Sequence, residues 1–106
     1  LAVAAAEATL RELKAENLAE NAVEVGAYLR ESLEALPGVE SVRGIGLMLA
    51  ADLKEDGKPA PDVVLEGLKA GLLLNATGAR TLRFLPPLIC SKADVDALIE
   101  KLSGLL

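Results

Sequence analysis

Apolar residues recur at helical spacing over parts of the chain and form short, dense runs between them. From Leu18 to Leu36 an apolar residue returns every three or four positions, which is typical of an amphipathic helix. The segment before it is rich in alanine and leucine, the residues that most favour a helix. In chain order the pattern predicts helices over residues 1–15, 17–35, 62–70 and from 91 onward, and strands over 39–42, 47–53, 72–75 and 81–85.

Residues with strong capping or turn preferences mark the predicted ends of these elements. Asn17, with Glu20 three residues later, predicts a side-chain cap at the start of the second helix. Ser91 with Asp94 predicts the same for the last helix. The consecutive prolines after Leu85 end the last strand, because proline cannot donate a hydrogen bond to a neighbouring strand.

The order of these elements is helix, helix, strand, strand, helix, strand, strand, helix, which predicts an α+β fold. We expect a small, mostly antiparallel sheet of three to four strands with the helices packed on one face. The length of 106 residues is enough for one small domain and not for two. Leu1 is not an initiator methionine and no capping residue precedes the first helix, so we expect this helix to continue from a segment upstream.

Composition and charge exclude several classes of function. The net charge is −5 and the basic residues are dispersed, whereas nucleic-acid binding needs a basic face. The chain has no histidine and one cysteine, which excludes an internal disulfide, a Cys/His zinc site and a Ser-His or Cys-His nucleophile pair. No apolar run is long enough to span a bilayer, and the first residues lack the basic start of a signal peptide, so we expect a cytoplasmic protein without membrane contact.

Gly44-Ile45-Gly46 is a G-x-G, the start of a dinucleotide-binding fingerprint. The third glycine would fall at Leu49 and is missing, and the segment leads into a strand instead of a helix, so a backbone bend between two strands is favoured. A Schiff-base lysine needs a desolvated position, whereas every lysine here lies on a predicted helix surface or in a loop. These lysines are Lys14, Lys54, Lys58, Lys69, Lys92 and Lys101.

The acidic residues Glu55 and Asp56 lie in a polar stretch, which favours a solvated turn over a carboxylate site. For Asp52, at the end of the preceding strand, the sequence favours neither of these two interpretations. Cys90 precedes a predicted helix start, a position that lowers the pKa of a thiol, but no general base accompanies it. A buried, unreactive thiol is therefore favoured.

Arg83 lies inside an apolar strand, between Leu82 and Phe84. Arginine is almost never fully buried without a partner, so its guanidinium either faces solvent or binds an anion. The residue pattern favours neither alternative. In the second, a planar fork of donors on a rigid strand binds a carboxylate with two parallel hydrogen bonds.

Around Arg83 the chain resembles the C-terminal segment of class III pyridoxal-phosphate aminotransferases. The most specific part is GLLLNATG followed by TLRFLPPL, and its Leu-Leu-x-Asn-x-Thr-Gly wording is similar to that of acetylornithine-type members. Three further segments of the chain resemble elements of the family. They are ENLAENAVEVGAYLRESLEAL for a helix, VRGIGLMLAADL for a strand pair and SKADVDALIEKL for the closing helix. The resemblance covers essentially the whole chain.

The resemblance implies that residues 1–106 are the C-terminal small domain of a fold-type I aminotransferase, with residues 1–15 as the end of the connecting helix. In this family a large domain holds pyridoxal 5'-phosphate and supplies the Schiff-base lysine, and the enzymes are usually homodimers. We therefore expect no bound cofactor and no activity from these residues alone. The implied substrates of the parent enzyme are amino acids and 2-oxo acids, with transfer of an amino group from N-acetylornithine to 2-oxoglutarate in arginine biosynthesis.

The resemblance also implies a role for Arg83, because it matches the arginine of the family's L-R-F-x-P-x-L motif, which binds the α-carboxylate of the substrate. The chain departs from the family pattern at Ala50, where glycine is frequent, at Asp52, where glutamate is frequent, and at Cys90, where an aliphatic residue is usual. These departures leave Arg83 untouched. The residues do not separate acetylornithine from succinylornithine or succinyldiaminopimelate as the substrate.

Two other functions fit the residues without a parent enzyme. A free-standing α+β domain with an anion-binding arginine could sense small carboxylates. A domain without any ligand could serve only in dimerisation. An upstream reading frame that continues into a cofactor domain would favour the enzyme fragment over either kind of module.

Overall fold

Four helices and four strands follow one another in the predicted order in the computed structural model, which describes residues 1–106. The helices are α1 (Ala2–Ala15), α2 (Leu18–Glu34), α3 (Ala60–Lys69) and α4 (Lys92–Ser103). The strands are β1 (Val39–Ile45), β2 (Met48–Leu53), β3 (Asn75–Ala76) and β4 (Thr81–Phe84). The prediction of the elements and their types is confirmed, and the differences lie at the ends of elements.

The four strands form one antiparallel sheet in the order β1-β2-β4-β3. Helices α2 and α4 pack against each other on one side of this sheet, so the predicted α+β fold with helices on one face is confirmed. The side chains on the other side are exposed or half-buried, and we call this side the open face. It carries Ser41, Arg43, Ile45, Met48, Ala50, Asp52, Asn75, Thr81 and Arg83.

The core lies between the sheet and the helices. Leu29 and Leu33 of α2 meet Leu82 of β4 there, and all three side chains are fully buried. Burying a leucine side chain stabilises the fold by about 1.5–3 kcal/mol, so this layer holds the sheet to the helices. Helix α1 buries none of its residues. The four helices are too short or too polar to traverse a lipid bilayer.

The β1–β2 hairpin has a tighter turn than the sequence predicts. Strand β1 continues to Ile45, which pairs with Met48, so only two residues form the turn. Gly44 has φ 128° and Gly46 has φ 55°, values that favour glycine. The G-x-G therefore belongs to a hairpin and not to a dinucleotide site, which is the interpretation that the sequence favoured. The expected bend over residues 43–46, however, is strand as far as Ile45.

Gly26 of α2 brings the helix backbone directly against this turn. A β-carbon on Gly26 would lie 2.2 Å from the carbonyl oxygen of Gly46 and 2.4 Å from its carbonyl carbon. Both atoms belong to the backbone and cannot rotate away. The absence of a side chain at position 26 thus sets how closely the hairpin approaches α2, and with it the position of β1 and β2.

Strand β3 begins at Asn75, so the prediction of a strand over residues 72–75 is wrong for its first three residues. These residues follow α3 closely instead of pairing with a strand. The backbone N–H of Leu72 donates to the carbonyl of Gly67 at 2.8 Å, and Leu74 packs over the same glycine. Leu73 is 91% exposed as a result.

One predicted helix cap is confirmed and the other is wrong. The Ser91 hydroxyl accepts from the backbone N–H of Asp94 at 3.2 Å, and the Asp94 carboxylate accepts from the backbone N–H of Ser91 at 2.9 Å. Asn17 makes no side-chain cap and has φ 49°. Its backbone N–H donates to the carbonyl of Lys14, so Asn17 ends α1 in a left-handed conformation that asparagine tolerates.

Candidate functional site

Arg83 lies in the middle of β4, opposite Ala50 of β2 and opposite Asn75 of β3. Its neighbours Leu82 and Phe84 are 0% and 5% exposed and face the helices. Because successive side chains of a strand point to opposite faces, Arg83 projects from the open face. The structure thus places it outward from an apolar strand instead of burying it.

Arg83 is the one arginine of five whose guanidinium has no partner in the chain. Arg11 pairs with Glu7 at 2.6 Å within α1. Arg30 donates to the carbonyls of Val42 and Gly44, Arg43 binds Asp52, and Arg80 donates to the carbonyls of Lys54, Glu55 and Gly57. The donors of Arg83 are therefore available to a ligand.

Two depressions meet at Arg83. The larger is a cavity of about 660 Å³ between the β3 edge of the sheet and helices α2 and α4, and its mostly apolar lining includes Leu29 and Phe84. The smaller is a groove of about 310 Å³ over Ala50, with Arg43 on its other side. A cationic group on a rigid strand at the edge of an apolar cavity suits a small molecule that has a carboxylate and an aliphatic body.

The chain segment after β4 forms one rim of the larger cavity and is held in place from α2. The side-chain amide of Asn21 donates to the carbonyl of Leu88 at 2.7 Å and to that of Cys90 at 2.9 Å. Prolines 86 and 87 restrict the same segment. No local sequence pattern indicates Asn21, because its partners lie far away along the chain.

Asp52 is the centre of a polar cluster on the open face. Its carboxylate accepts from Arg43 Nε at 3.1 Å and Nη2 at 3.2 Å, from the Ser41 hydroxyl at 3.2 Å and from the Thr81 hydroxyl at 2.7 Å. The hydrogen bond from Arg43, followed by that from Thr81, lowers the pKa of Asp52 to about 2. These hydrogen bonds distinguish Asp52 from Glu55 and Asp56, which lie exposed in the following loop as predicted.

We expect Asp52 to contribute to stability in a pH-dependent way. Its folded-state pKa is lower than that of an unfolded aspartate, so the contribution is present above about pH 4 and is lost as the pH falls toward about 2. Since the Arg43 side of the ion pair is 65% exposed and screened by water, the contribution is about 1 kcal/mol or less. Urea unfolding of the wild type and Asp52→Asn should show this difference at neutral pH and a smaller one near pH 3. A difference that grows on acidification would contradict the assignment.

Cys90 is buried just before α4, in agreement with the buried thiol that the sequence favoured. Burial, and to a smaller extent the charge of Asp94, raises the pKa of the thiol. The lowering of the pKa expected from a helix N-terminus does not prevail over this burial.

Because the thiolate is the reactive form, iodoacetamide should alkylate Cys90 slowly in the folded chain at neutral pH. The rate should rise to that of an ordinary cysteine in urea. Mass spectrometry of quenched samples follows the reaction. Equal rates in the folded and the unfolded chain would show that the thiol is accessible and reactive.

The lysines do not provide a cofactor site. All six side chains are exposed, Lys58 pairs with Glu66 at 2.6 Å, and the Lys92 ammonium lies 5.6 Å from the centre of the Tyr28 ring. A Schiff-base lysine needs a desolvated position, and no lysine here has one. None of the six lysines therefore has the environment that a Schiff base with a cofactor requires.

The fold and the site define a small α+β domain with a free arginine on the open face of its sheet. The sequence profile of the family described as aminotransferase class-III matches residues 1–106, and the chain belongs to that family. It is 43% identical over 107 residues to the ornithine aminotransferase of Bordetella pertussis, covering 100% of this chain and 26% of that protein. It is 44% identical over 91 residues to the acetylornithine aminotransferase of Aquifex aeolicus, covering 86% of this chain and 23% of that protein.

The solved structures agree with this membership. The crystal structure of acetylornithine aminotransferase from Elizabethkingia anophelis superposes with a TM-score of 0.85 at 26% identity, over 94% of this chain and 26% of that chain. The chain thus spans about a quarter of the length of the relatives that it matches. These relatives include both ornithine and acetylornithine aminotransferases.

Proposed function

We propose that the chain is the C-terminal small domain of a pyridoxal-phosphate-dependent aminotransferase of the acetylornithine type, and that Arg83 binds the α-carboxylate of the substrate. The single observation that carries the role of Arg83 is its free guanidinium, since the other four arginines are bound within the chain. Family membership supports the reaction class. The Leu-Leu-x-Asn-x-Thr-Gly motif and the similarity to the acetylornithine aminotransferase of Aquifex aeolicus support N-acetylornithine as the substrate.

Arg83 would act by position and charge. Pyridoxal phosphate, bound elsewhere in the parent enzyme, supplies the electron sink for the amino-group transfer. A guanidinium that binds one end of an amino acid fixes where its amine lies, which lowers the entropic part of the barrier. Strand β4 suits this task because it is hydrogen-bonded to β2 on one side and to β3 on the other.

The partner of the open face would be the cofactor-binding domain of the parent. Exposed apolar side chains line the two depressions at Arg83: Ile45 is 82%, Leu85 60% and Ile89 70% exposed. Exposed apolar area of this kind marks interaction surfaces. Covering it with a second domain would also remove water from Arg83 and strengthen its attraction for a carboxylate. Homodimerisation of the parent stays a prediction from the family resemblance.

The carboxylate role can be tested on the chain itself by NMR titration with butyrate, which has one carboxylate and an aliphatic body. We expect butyrate to shift the amide signals of β4 and β2 around Arg83, and butylamine at the same concentration to leave them unchanged. Arg83→Gln should abolish the shifts, whereas the matched variant Arg11→Gln should retain them. Equal responses of the two variants would refute the carboxylate role of Arg83.

A second experiment tests whether the cofactor site lies outside this chain. After mixing with pyridoxal phosphate and gel filtration, the chain should show no cofactor absorbance, because none of its lysines is desolvated. A retained adduct that borohydride fixes at one defined lysine would contradict the proposal that the cofactor site lies elsewhere.

A further inference from the structure

On the open face, Asp52 of β2 has the same position relative to two arginines, one on each neighbouring strand. The sheet register pairs Ala50 with Arg43 of β1 and with Arg83 of β4. Asp52, two residues further along β2, is therefore a diagonal neighbour of both. Diagonal neighbours in antiparallel sheets are about 7–8 Å apart, which is within reach of long side chains.

Only one of these arginines binds the carboxylate. Arg43 donates to both Asp52 oxygens, from Nε at 3.1 Å and from Nη2 at 3.2 Å. The hydroxyls of Ser41 and Thr81 donate to the same two oxygens. A carboxylate has about four acceptor sites, so these four hydrogen bonds leave little acceptor capacity for a further donor such as Arg83.

We propose that Arg43 is a positioning residue for the carboxylate site: it holds Asp52 and thereby keeps Arg83 free to bind an anion. This inference rests on the proposed role of Arg83. Without Arg43, the Asp52 carboxylate would have unfilled acceptor sites within reach of Arg83. It would then compete with the ligand as an internal carboxylate, at the effective concentration of a group tethered close to Arg83.

The inference predicts a specific pattern of variants in the butyrate titration of the chain. Arg43→Gln should weaken butyrate binding by about two- to fivefold, the scale of competition by an exposed ion pair. The double variant R43Q/D52N should bind butyrate as the wild type does, because the competing carboxylate is gone. The matched variant Arg11→Gln, which removes the same charge from α1, should have no effect.

A signal from Arg83 itself distinguishes this mechanism from the loss of a nearby positive charge. In Arg43→Gln, the Nε–H of Arg83 should give a slowly exchanging NMR signal from its hydrogen bond to Asp52. That signal should be absent from the wild type and from R43Q/D52N. If R43Q is unfolded, Arg43→Lys, which keeps the charge but loses the two-donor fork, should show the same signal at lower intensity.

Unchanged butyrate binding in folded Arg43→Gln, or weaker binding without the Arg83 signal, would overturn the inference. Its failure is distinguishable from that of the proposed function. If the wild type does not bind butyrate through Arg83, the proposed function fails, while the Arg83 signal in Arg43→Gln still reports whether Arg43 keeps Asp52 away from Arg83.

Discussion

Replacing Arg83 by lysine in the full-length aminotransferase should weaken binding of the substrate carboxylate by about 1.5–3 kcal/mol, the scale of a hydrogen bond to a charged group. Lysine keeps the charge but presents one ammonium instead of a planar fork of donors. The loss should appear as an increase in KM and a decrease in kcat/KM of about 10- to 150-fold. Steady-state kinetics with both substrates measure it.

The control for this experiment is Arg11→Lys. Arg11 is exposed on α1 and pairs only with Glu7 in the same helix, so its replacement should leave both kinetic parameters unchanged. An unchanged KM for both substrates in Arg83→Lys would show that Arg83 does not bind the carboxylate. Comparable losses in both variants would indicate a general effect of altered charge.

Replacing Gly26 by alanine should destabilise the fold, although alanine is the better helix former. Helix propensity alone predicts a gain of about 1 kcal/mol for this change inside a helix. The added β-carbon, however, would lie 2.2 Å from the Gly46 carbonyl oxygen, so α2 and the hairpin turn must separate. Overpacking of this kind costs about 1–3 kcal/mol and sometimes more. Since the clash is with backbone atoms, we expect the cost to lie in the upper half of this range and the net loss in urea unfolding to be about 1–2 kcal/mol.

Gly78→Ala provides the matched control, since a β-carbon there has no atom within 4 Å. Its stability should be unchanged or higher by a few tenths of a kcal/mol, because alanine restricts the unfolded chain more than glycine does. The separation in Gly26→Ala should also displace β1 and β2 and weaken butyrate binding at Arg83. A Gly26→Ala chain as stable as Gly78→Ala would mean that α2 and the turn do not meet so closely.

Features that depend on neighbours along the chain were predictable from the sequence. The Ser91 and Asp94 cap is an example, because both of its hydrogen bonds join residues three positions apart. The alternation of Leu82, Arg83 and Phe84 likewise follows from the strand period. Asn17 shows the limit of local motifs, since asparagine suits both a helix cap and a left-handed helix end. In the folded chain the backbone N–H of Asn17 donates to the Lys14 carbonyl, so Asn17 ends α1.

Features that join distant residues needed the tertiary structure. Residues 72–74 have the composition of a strand, but their packing on α3 leaves only Asn75 and Ala76 to pair with β4. The Asn21 amide reaches carbonyls 67 and 69 positions away, which no local pattern indicates.

The sequence was sufficient for the fold class, the family and the alternation that makes Arg83 an outward residue, because periodicity and motif wording are local properties. It left two alternatives for Arg83, solvent or an anion. The tertiary structure bears on this choice because the register of β1, β2 and β4 places Asp52 diagonally to both Arg43 and Arg83. The hydrogen bonds of the folded chain assign Asp52 to Arg43 and leave Arg83 without a partner. That assignment depends on which residues oppose each other across strands, and strand register is set by the turn and the packed face of the whole sheet.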